Sequence, residues 1–220
     1  MRKQIAITSV IIFILGTAQA YLIAKYVPAD TAANFFYLQS FMLFAVTVGS
    51  STIMIKNFTT VDEDDKSFNL LFPLYQIVVT FVLIFCAGVY FWLFSAIPPF
   101  VIGLIVVSSL LNANTSVTSF LRLYPNSFVR LQLVRIGILA LKITLIASFL
   151  TGMKLTQLLI IFLVADILTL VCLLFLFRGL RSEFKYVHNL VGPERPALIW
   201  GSVNALFRNL PRLLAFFIAE

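Results

Sequence analysis

Two arginines that could bind an anion stand in the stretch NALFRNLPRLLAFFIAE (204–220). Asn204, Arg208 and Arg212 recur every four residues and would form one polar stripe on a helix. Two guanidinium groups one turn apart suit an oligoanion such as a diphosphate, because each offers a planar fork of donors to phosphate oxygens. Bonds from the arginines to carboxylates of other helices are the structural alternative. We therefore take these three residues as candidate ligand-binding residues.

A proline in the same stretch affects how these arginines would be held. Pro211 removes one backbone donor and frees the carbonyl of Phe207, so a helix would bend or unwind there. Within a membrane, freed backbone groups and arginines are tolerated only where the helix lines protein or water. The stretch therefore predicts a helix that faces a cavity or a neighbouring helix.

Lys142 and Asp166 form a candidate pair in the middle of two neighbouring apolar segments. Lys142 lies 11 residues after Leu131, and Asp166 lies 11 residues before Phe177. On antiparallel helices, a rise of about 1.5 Å per residue places both groups roughly 16 Å from the same end. Ionisable groups at such a depth in a membrane usually face a partner or a cavity. Two interpretations stay open: a buried structural ion pair, and a site where Asp166 binds a coupling proton or sodium ion beside Lys142.

The stretch SSLLNANTSVTS (108–119) has more polar side chains than lipid exposure would allow. Asn112 and Ser116 fall on one helix face, where they could line an aqueous cavity and bond to sugar hydroxyls. Helix packing through small and hydroxyl residues is the alternative. Arg135 shares a helix face with Lys142, seven residues later. It could bind the same anion or extend to the lipid headgroups.

The composition of the chain is that of an integral membrane protein. Of the 220 residues, 61% are hydrophobic and 11% are charged, whereas soluble domains are about half apolar and a quarter charged. Segments of about 20 apolar residues cross a bilayer as helices. This length predicts six complete spans, and a seventh begins near residue 198. The six are 4–24, 33–55, 70–94, 100–121, 131–150 and 155–177.

These spans predict an all-α membrane fold with three parts. Residues 1–177 would form a six-helix transmembrane bundle, and 198–220 the truncated start of a seventh transmembrane helix. Between them, 178–197 carries apolar and basic residues at helical spacing, which predicts an amphipathic connector at the cytoplasmic interface.

Basic residues in the connections predict a cytoplasmic N-terminus. With that orientation, most Lys and Arg residues of the connections lie on the inner side, and only Lys25 and Lys154 lie on the outer side. The net charge of +7 then reflects inner loops, and we expect no nucleic-acid partner. Cys86 and Cys172 stand in apolar runs, and no spacing suits a metal. We expect no metal, no cofactor and no catalytic residues.

Two stretches of the chain carry a resemblance to a known family. They are GTAQAYLIAKYVPADTAANFFYLQSFMLFAVTVGSSTIMIKNF (16–58) and NALFRNLPRLLAFFIAE (204–220), which contains the element Asn209-Leu210-Pro211-Arg212. The first is similar to the first two helices of the polysaccharide flippase family, and the second is similar to its seventh helix. These are the O-antigen and capsule flippases of the multidrug/oligosaccharidyl-lipid/polysaccharide exporter superfamily.

The resemblance implies a transporter rather than an enzyme. Family members move undecaprenyl-diphosphate-linked oligosaccharide from the inner to the outer leaflet of the bacterial cytoplasmic (inner) membrane by alternating access. Arg208 and Arg212 would face a cationic cavity shared by two bundles. Because the family is about twice as long, we expect the chain to be the N-terminal half of a longer protein. The expected partners are the lipid-linked oligosaccharide and membrane lipids, with glycan polymerase and glycosyltransferases as further candidates.

Three other functions stay open. A multidrug exporter of the same superfamily would favour an acidic cavity, whereas basic groups predominate in these spans. A polytopic glycosyltransferase or polymerase could use the acidic cluster at 62–65 to hold a metal, although a solvated loop is the simpler interpretation. A membrane scaffold for a glycan assembly complex would need no charges at mid-membrane.

Overall fold

A computed structural model describes residues 2–59, 67–69, 71–94, 97–121, 123–149, 153–180, 185–187 and 203. These residues form seven α-helices and two strands of three residues each. The helices are α1 (Arg2–Tyr26), α2 (Ala29–Thr59), α3 (Leu71–Phe94), α4 (Pro99–Asn112), α5 (Thr115–Leu121), α6 (Pro125–Ser148) and α7 (Leu155–Gly179). The strands are β1 (Ser67–Asn69) and β2 (Lys185–Val187).

Five helices in the described part of the chain are long and apolar enough to cross a membrane. They are α1, α2, α3, α6 and α7, and α4 is a shorter apolar helix. Their length and composition indicate a multi-pass membrane protein. The helical fold class predicted from the sequence is thereby confirmed at this level.

The predicted span 100–121 is not one continuous helix, and the prediction of an unbroken span there is wrong. It is divided into α4 and α5 by Ala113 and Asn114. Asn is a poor residue for a helix interior, because its side chain bonds to nearby backbone groups and competes with the helical pattern. The apolar run was long enough for a span, but its polar centre bends the chain.

Helix α6 begins six residues before the predicted span, at Pro125 instead of residue 131. Proline is favoured in the first turn of a helix, since its missing N–H has no partner there in any case. Arg135 consequently lies ten residues inside the helix, about 15 Å from its start.

The connector predicted at 178–197 as an amphipathic helix contains a strand. Lys185–Val187 pair in parallel with Ser67–Asn69, so for these three residues the helix prediction is wrong. Backbone pairing with β1 replaces the internal hydrogen bonds that a helix would have made. Most of the remaining connector, after Leu180, lies outside the described residues. So does the predicted seventh helix apart from Val203.

The helices pack into one bundle in which α7 has a central position. It contacts α6, α4 and α2, while α1 packs on α6 and α3 packs on α2 and α4. Helices α2 and α3 approach closely at Gly49, where a Cβ atom would lie 2.7 Å from Oγ1 of Thr80 and 3.1 Å from the carbonyl oxygen of Gln76. Only glycine fits at that crossing without a shift of the neighbouring helix.

Two apolar clusters occupy opposite ends of this bundle. The first, here the α1–α2 end cluster, gathers the end of α1 and the starts of α2, α4 and α7 around Phe35, Leu38 and Leu158. The second, the α5–α6 end cluster, gathers the end of α5 and the start of α6 around Leu121, Leu131 and Leu173. Along α4, α6 and α7, polar and charged residues lie between the two clusters.

Candidate functional site: a polar cavity beside a helix break

The break between α4 and α5 is held by the side chain of Asn114. Its Nδ2 donates to the carbonyl oxygen of Leu111 at 2.7 Å, and its Oδ1 accepts from the hydroxyl of Thr118 at 3.2 Å. The backbone N–H of Thr118 donates to the carbonyl of Asn114 at 3.0 Å, which closes the first turn of α5. Asn114 therefore supplies partners at both sides of the interruption, as expected of a residue favoured before a helix start.

Arg135 connects this break to α6. Its Nη2 donates to Oγ1 of Thr118 at 3.3 Å, and the arginine has further interactions. The hydroxyl of Thr118 thus accepts from the guanidinium group and donates to Asn114. Of the two roles considered for Arg135, binding an anion and extending to headgroups, neither is tested by this contact. Its observed partner is the broken helix.

A cavity of about 230 Å³ lies next to the break, between α2, α4, α6 and α7. One side of it is apolar and includes Phe35, Met42 and Phe162. The other side is polar. It is formed by Gln39, Ser108, Asn112, Lys142 and Asp166.

Asp166 on α7 is tied to α4. The hydroxyl of Ser108 donates to Oδ2 of Asp166, and Asn112 also interacts with the carboxylate. Ser108 itself is buried, with 4% of its surface exposed. The amide of Asn112 additionally donates to the carbonyl of Ser108 at 3.0 Å, so this last turn of α4 presents two polar side chains to one carboxylate.

Lys142 on α6 shares the cavity with Asp166 but rests on an aromatic ring. Its Nζ lies 4.3 Å from the ring centroid of Phe162, which is a cation–π distance. The ammonium and the carboxylate interact electrostatically. Among the described contacts, however, the two groups do not form a direct ion pair. The cavity therefore holds one positive and one negative side chain, each with a different neutral partner.

The structure brings together three of the predicted site residues, Asn112, Lys142 and Asp166, in one cavity. Ser116 lies in α5, but its side chain is outside the described part of the structure. Arg135 contacts Thr118 at the helix break and is not among the cavity residues. The other three predicted site residues, Asn204, Arg208 and Arg212, lie outside the described residues altogether.

The glutamines Gln19 and Gln39 lie in the first two predicted spans. Gln39 lines the cavity. Gln19 is buried in α1 with 7% of its surface exposed and is not among the cavity residues. No group of three or more His, Cys, Asp or Glu residues that could hold a metal ion is found among the described residues.

Ser108, Asn114 and Phe162 were not predicted as site residues. Asn114 was recognisable only as one of many polar residues in an apolar run, although Asn before Thr or Ser is also a helix-start signal. Ser108 lies one turn before Asn112 on the same face, so helical spacing could have identified it. Phe162 had no signal in the sequence, because an aromatic residue in a membrane span is ordinary.

Comparison with known proteins gives no relative for this chain. No family model, no curated protein and no solved structure matches it.

Proposed function

We propose that the chain forms a bundle of a flippase that moves undecaprenyl-diphosphate-linked oligosaccharide across the bacterial cytoplasmic membrane by alternating access. The N-terminus would lie in the cytoplasm. The observation that carries this proposal is the cavity with Lys142 and Asp166 beside the interrupted helix. Charged side chains within membrane-spanning helices are costly and typically mark a substrate or ion pathway. Interrupted helices typically form such sites in transporters.

The chemistry of the cavity suits a polar headgroup better than a lipid tail. Lys142 offers an ammonium group to a phosphate oxygen, while Gln39 and Asn112 offer amides that bond to sugar hydroxyls. In the proposal, Arg208 and Arg212 add guanidinium groups for the diphosphate. The protein would thus replace the water that surrounds the headgroup outside the membrane, whereas the polyprenyl chain stays in lipid.

A second candidate function is the export of amphipathic organic cations. The apolar side of the cavity, with Phe35, Met42 and Phe162, and the carboxylate of Asp166 favour it, because aromatic rings and a carboxylate bind organic cations. Lys142 in the same cavity opposes it, since like charges repel. The two functions predict opposite effects when Lys142 loses its charge.

The proposal is tested in a strain that depends on the native protein for surface glycan. Lys142→Gln and the double change Arg208→Gln with Arg212→Gln should each abolish or strongly reduce surface glycan, while immunoblots of membranes show normal protein. Lys25→Gln is the control, since Lys25 lies at the exposed end of α1 and outside the cavity. Normal glycan in both the Lys142 variant and the double arginine variant would contradict the flippase proposal. Increased resistance to cationic drugs in Lys142→Gln would favour the second candidate.

A further inference from the structure

The arrangement of Lys142 is unusual for a cation that shares a cavity with a carboxylate. In a low-dielectric cavity, opposite charges attract strongly, and a direct ion pair is stronger than a cation–π contact. Yet the ammonium group lies over the ring of Phe162 at 4.3 Å, and Asp166 is bonded to Ser108 instead. This is the arrangement expected when the carboxyl group carries a proton and no longer attracts the ammonium.

We infer that Asp166 is a proton-binding site, and that its protonation exchanges Lys142 between the carboxylate and the ring of Phe162. With Asp166 ionised, Lys142 pairs with it and the cavity has no net charge from the two groups. When a proton from water binds the carboxylate, Lys142 keeps its own charge and moves to the ring. The cavity then carries one net positive charge, which favours an anionic headgroup.

The surroundings of Asp166 suit a proton better than a sodium ion. Sodium needs several oxygen ligands, whereas the described neighbours of the carboxylate offer Ser108 and the amide of Asn112. The cavity wall also includes the apolar residues Leu104, Leu159 and Phe162, and Gln39 is its other neutral polar residue. A proton needs only one carboxylate oxygen and one neighbouring hydrogen-bond partner.

Among the described residues that line the cavity, Lys142 and Asp166 are the charged ones. Helices α2, α4, α5 and α6 pack against α7. Among the described residues that line the cavity, α2 and α4 contribute no titratable group and α6 contributes Lys142. The sequence of α5, TSVTSFL, has no titratable side chain. Lys142 is thus the described cation that faces Asp166.

Infrared difference spectroscopy of the full chain in lipid nanodiscs tests the inference without any transported substrate. The chain has nine Asp and Glu residues, so the signal of Asp166 is the difference between the wild-type chain and Asp166→Asn. Lowering the pH should produce, in this difference, the carbonyl band of a protonated carboxyl group. Asp30→Asn is the matched control, because Asp30 lies in the exposed first turn of α2, and it should leave the band in place. Lys142→Met removes the ammonium group, and Phe162→Leu removes the ring over which it lies. Each variant should keep the band but shift the pH at which half of it appears.

Three results would overturn the inference. The first is a difference between the wild-type chain and Asp166→Asn that shows no carbonyl band at any pH at which the protein stays folded, and the second is a band that Asp30→Asn removes as well. The third is a spectral change at Asp166 that requires sodium and is absent when choline replaces it. The inference rests on the proposed function, and the experiments distinguish the failure of one from the failure of the other. Loss of surface glycan in Lys142→Gln with no protonation of Asp166 would remove the proton site and keep the transporter.

Discussion

The apolar ends of the bundle and the polar layer between them are held together by different forces. At the ends, side chains such as Leu38 and Leu131 are completely buried and pack by close contact. In the middle layer, α4, α5, α6 and α7 are connected through Ser108–Asp166 and Asn114–Thr118–Arg135. Packing at the ends can fix the bundle, while the hydrogen-bonded middle retains groups that can exchange partners.

This comparison indicates why the candidate site is in the middle layer. The two end clusters consist mainly of hydrocarbon side chains, which offer a ligand few donors or acceptors. Rearranging them would cost packing contacts. The middle layer has donors, acceptors and two charges next to a cavity. It also has an interrupted helix, whose ends can move with less loss of internal hydrogen bonding than a continuous helix.

The largest effect on stability is expected at the ends. Leu131→Ala should destabilise the protein by about 2–5 kcal/mol, because it leaves a cavity in a packed cluster. Leu131 is fully buried, whereas Leu133 on the same helix is 56% exposed, so Leu133→Ala is the control and should have little effect. Thermal unfolding in detergent measures both. Equal losses in the two variants would contradict the packing described for the α5–α6 end cluster.

The next effect is expected at the crossing of α2 and α3. In Gly49→Ala, the added Cβ would lie 2.7 Å from Oγ1 of Thr80, and overpacking of this kind costs about 1–3 kcal/mol. In Gly103→Ala the new Cβ meets no atom within 4 Å. That variant should be neutral or slightly more stable, since alanine is the better helix former. Thermal unfolding in detergent measures the stability of both variants. A Gly49→Ala protein more stable than the native one would show that α2 and α3 are not in contact at this position.

A smaller effect is expected at the helix break. Thr118→Val removes the hydroxyl that connects Asn114 and Arg135, which should cost about 1 kcal/mol for each hydrogen bond lost. Thr144→Val is the matched control, because the exposed hydroxyl of Thr144 bonds only to the carbonyl of Ala140 in its own helix. A Thr118 variant as stable as the Thr144 variant would argue against the connection between α5 and α6.

The smallest effect on stability is expected at Asp166, where the effect on function should be greatest. In Asp166→Asn the amide oxygen can still accept from the hydroxyl of Ser108, so the melting temperature should change little. Surface glycan should nevertheless be lost, while Asp30→Asn should display it normally. A severe loss of stability in Asp166→Asn would favour the structural pair that the sequence left open.

The sequence predicted the helical elements well, because each long apolar run leaves a helix as the only way to satisfy its backbone in lipid. It also predicted that Lys142 and Asp166 lie at similar depth, since four residues connect their spans in the prediction and the rise of a helix is fixed. It did not predict the break at Asn114. The prediction of a single span there used only the length of the apolar run. The break depends on the hydrogen bond from the Asn114 side chain to the carbonyl of Leu111, and spacing in the sequence does not show that bond.

The parallel pair of β1 and β2 could not be predicted from the sequence. Its two strands are three residues each and far apart in the chain, so neither has a recognisable period of its own. Likewise, the position of the Lys142 ammonium group over the ring of Phe162 depends on how α6 and α7 are rotated about their axes relative to each other. Spacing along one helix does not determine that rotation.

We propose that a cavity accessible to water lies between the helices beside α4. Leu104 lines that cavity. Val107, three residues later, lines an apolar groove between α3 and α4 instead, only about 4.5 Å away along the helix axis. We would introduce Leu104→Cys and Val107→Cys separately into a background with Cys86→Ala and Cys172→Ala, and treat membranes with a charged, water-soluble thiosulfonate. The cysteine at 104 should react many times faster than the one at 107. Equal rates, or faster reaction at 107, would contradict the proposal.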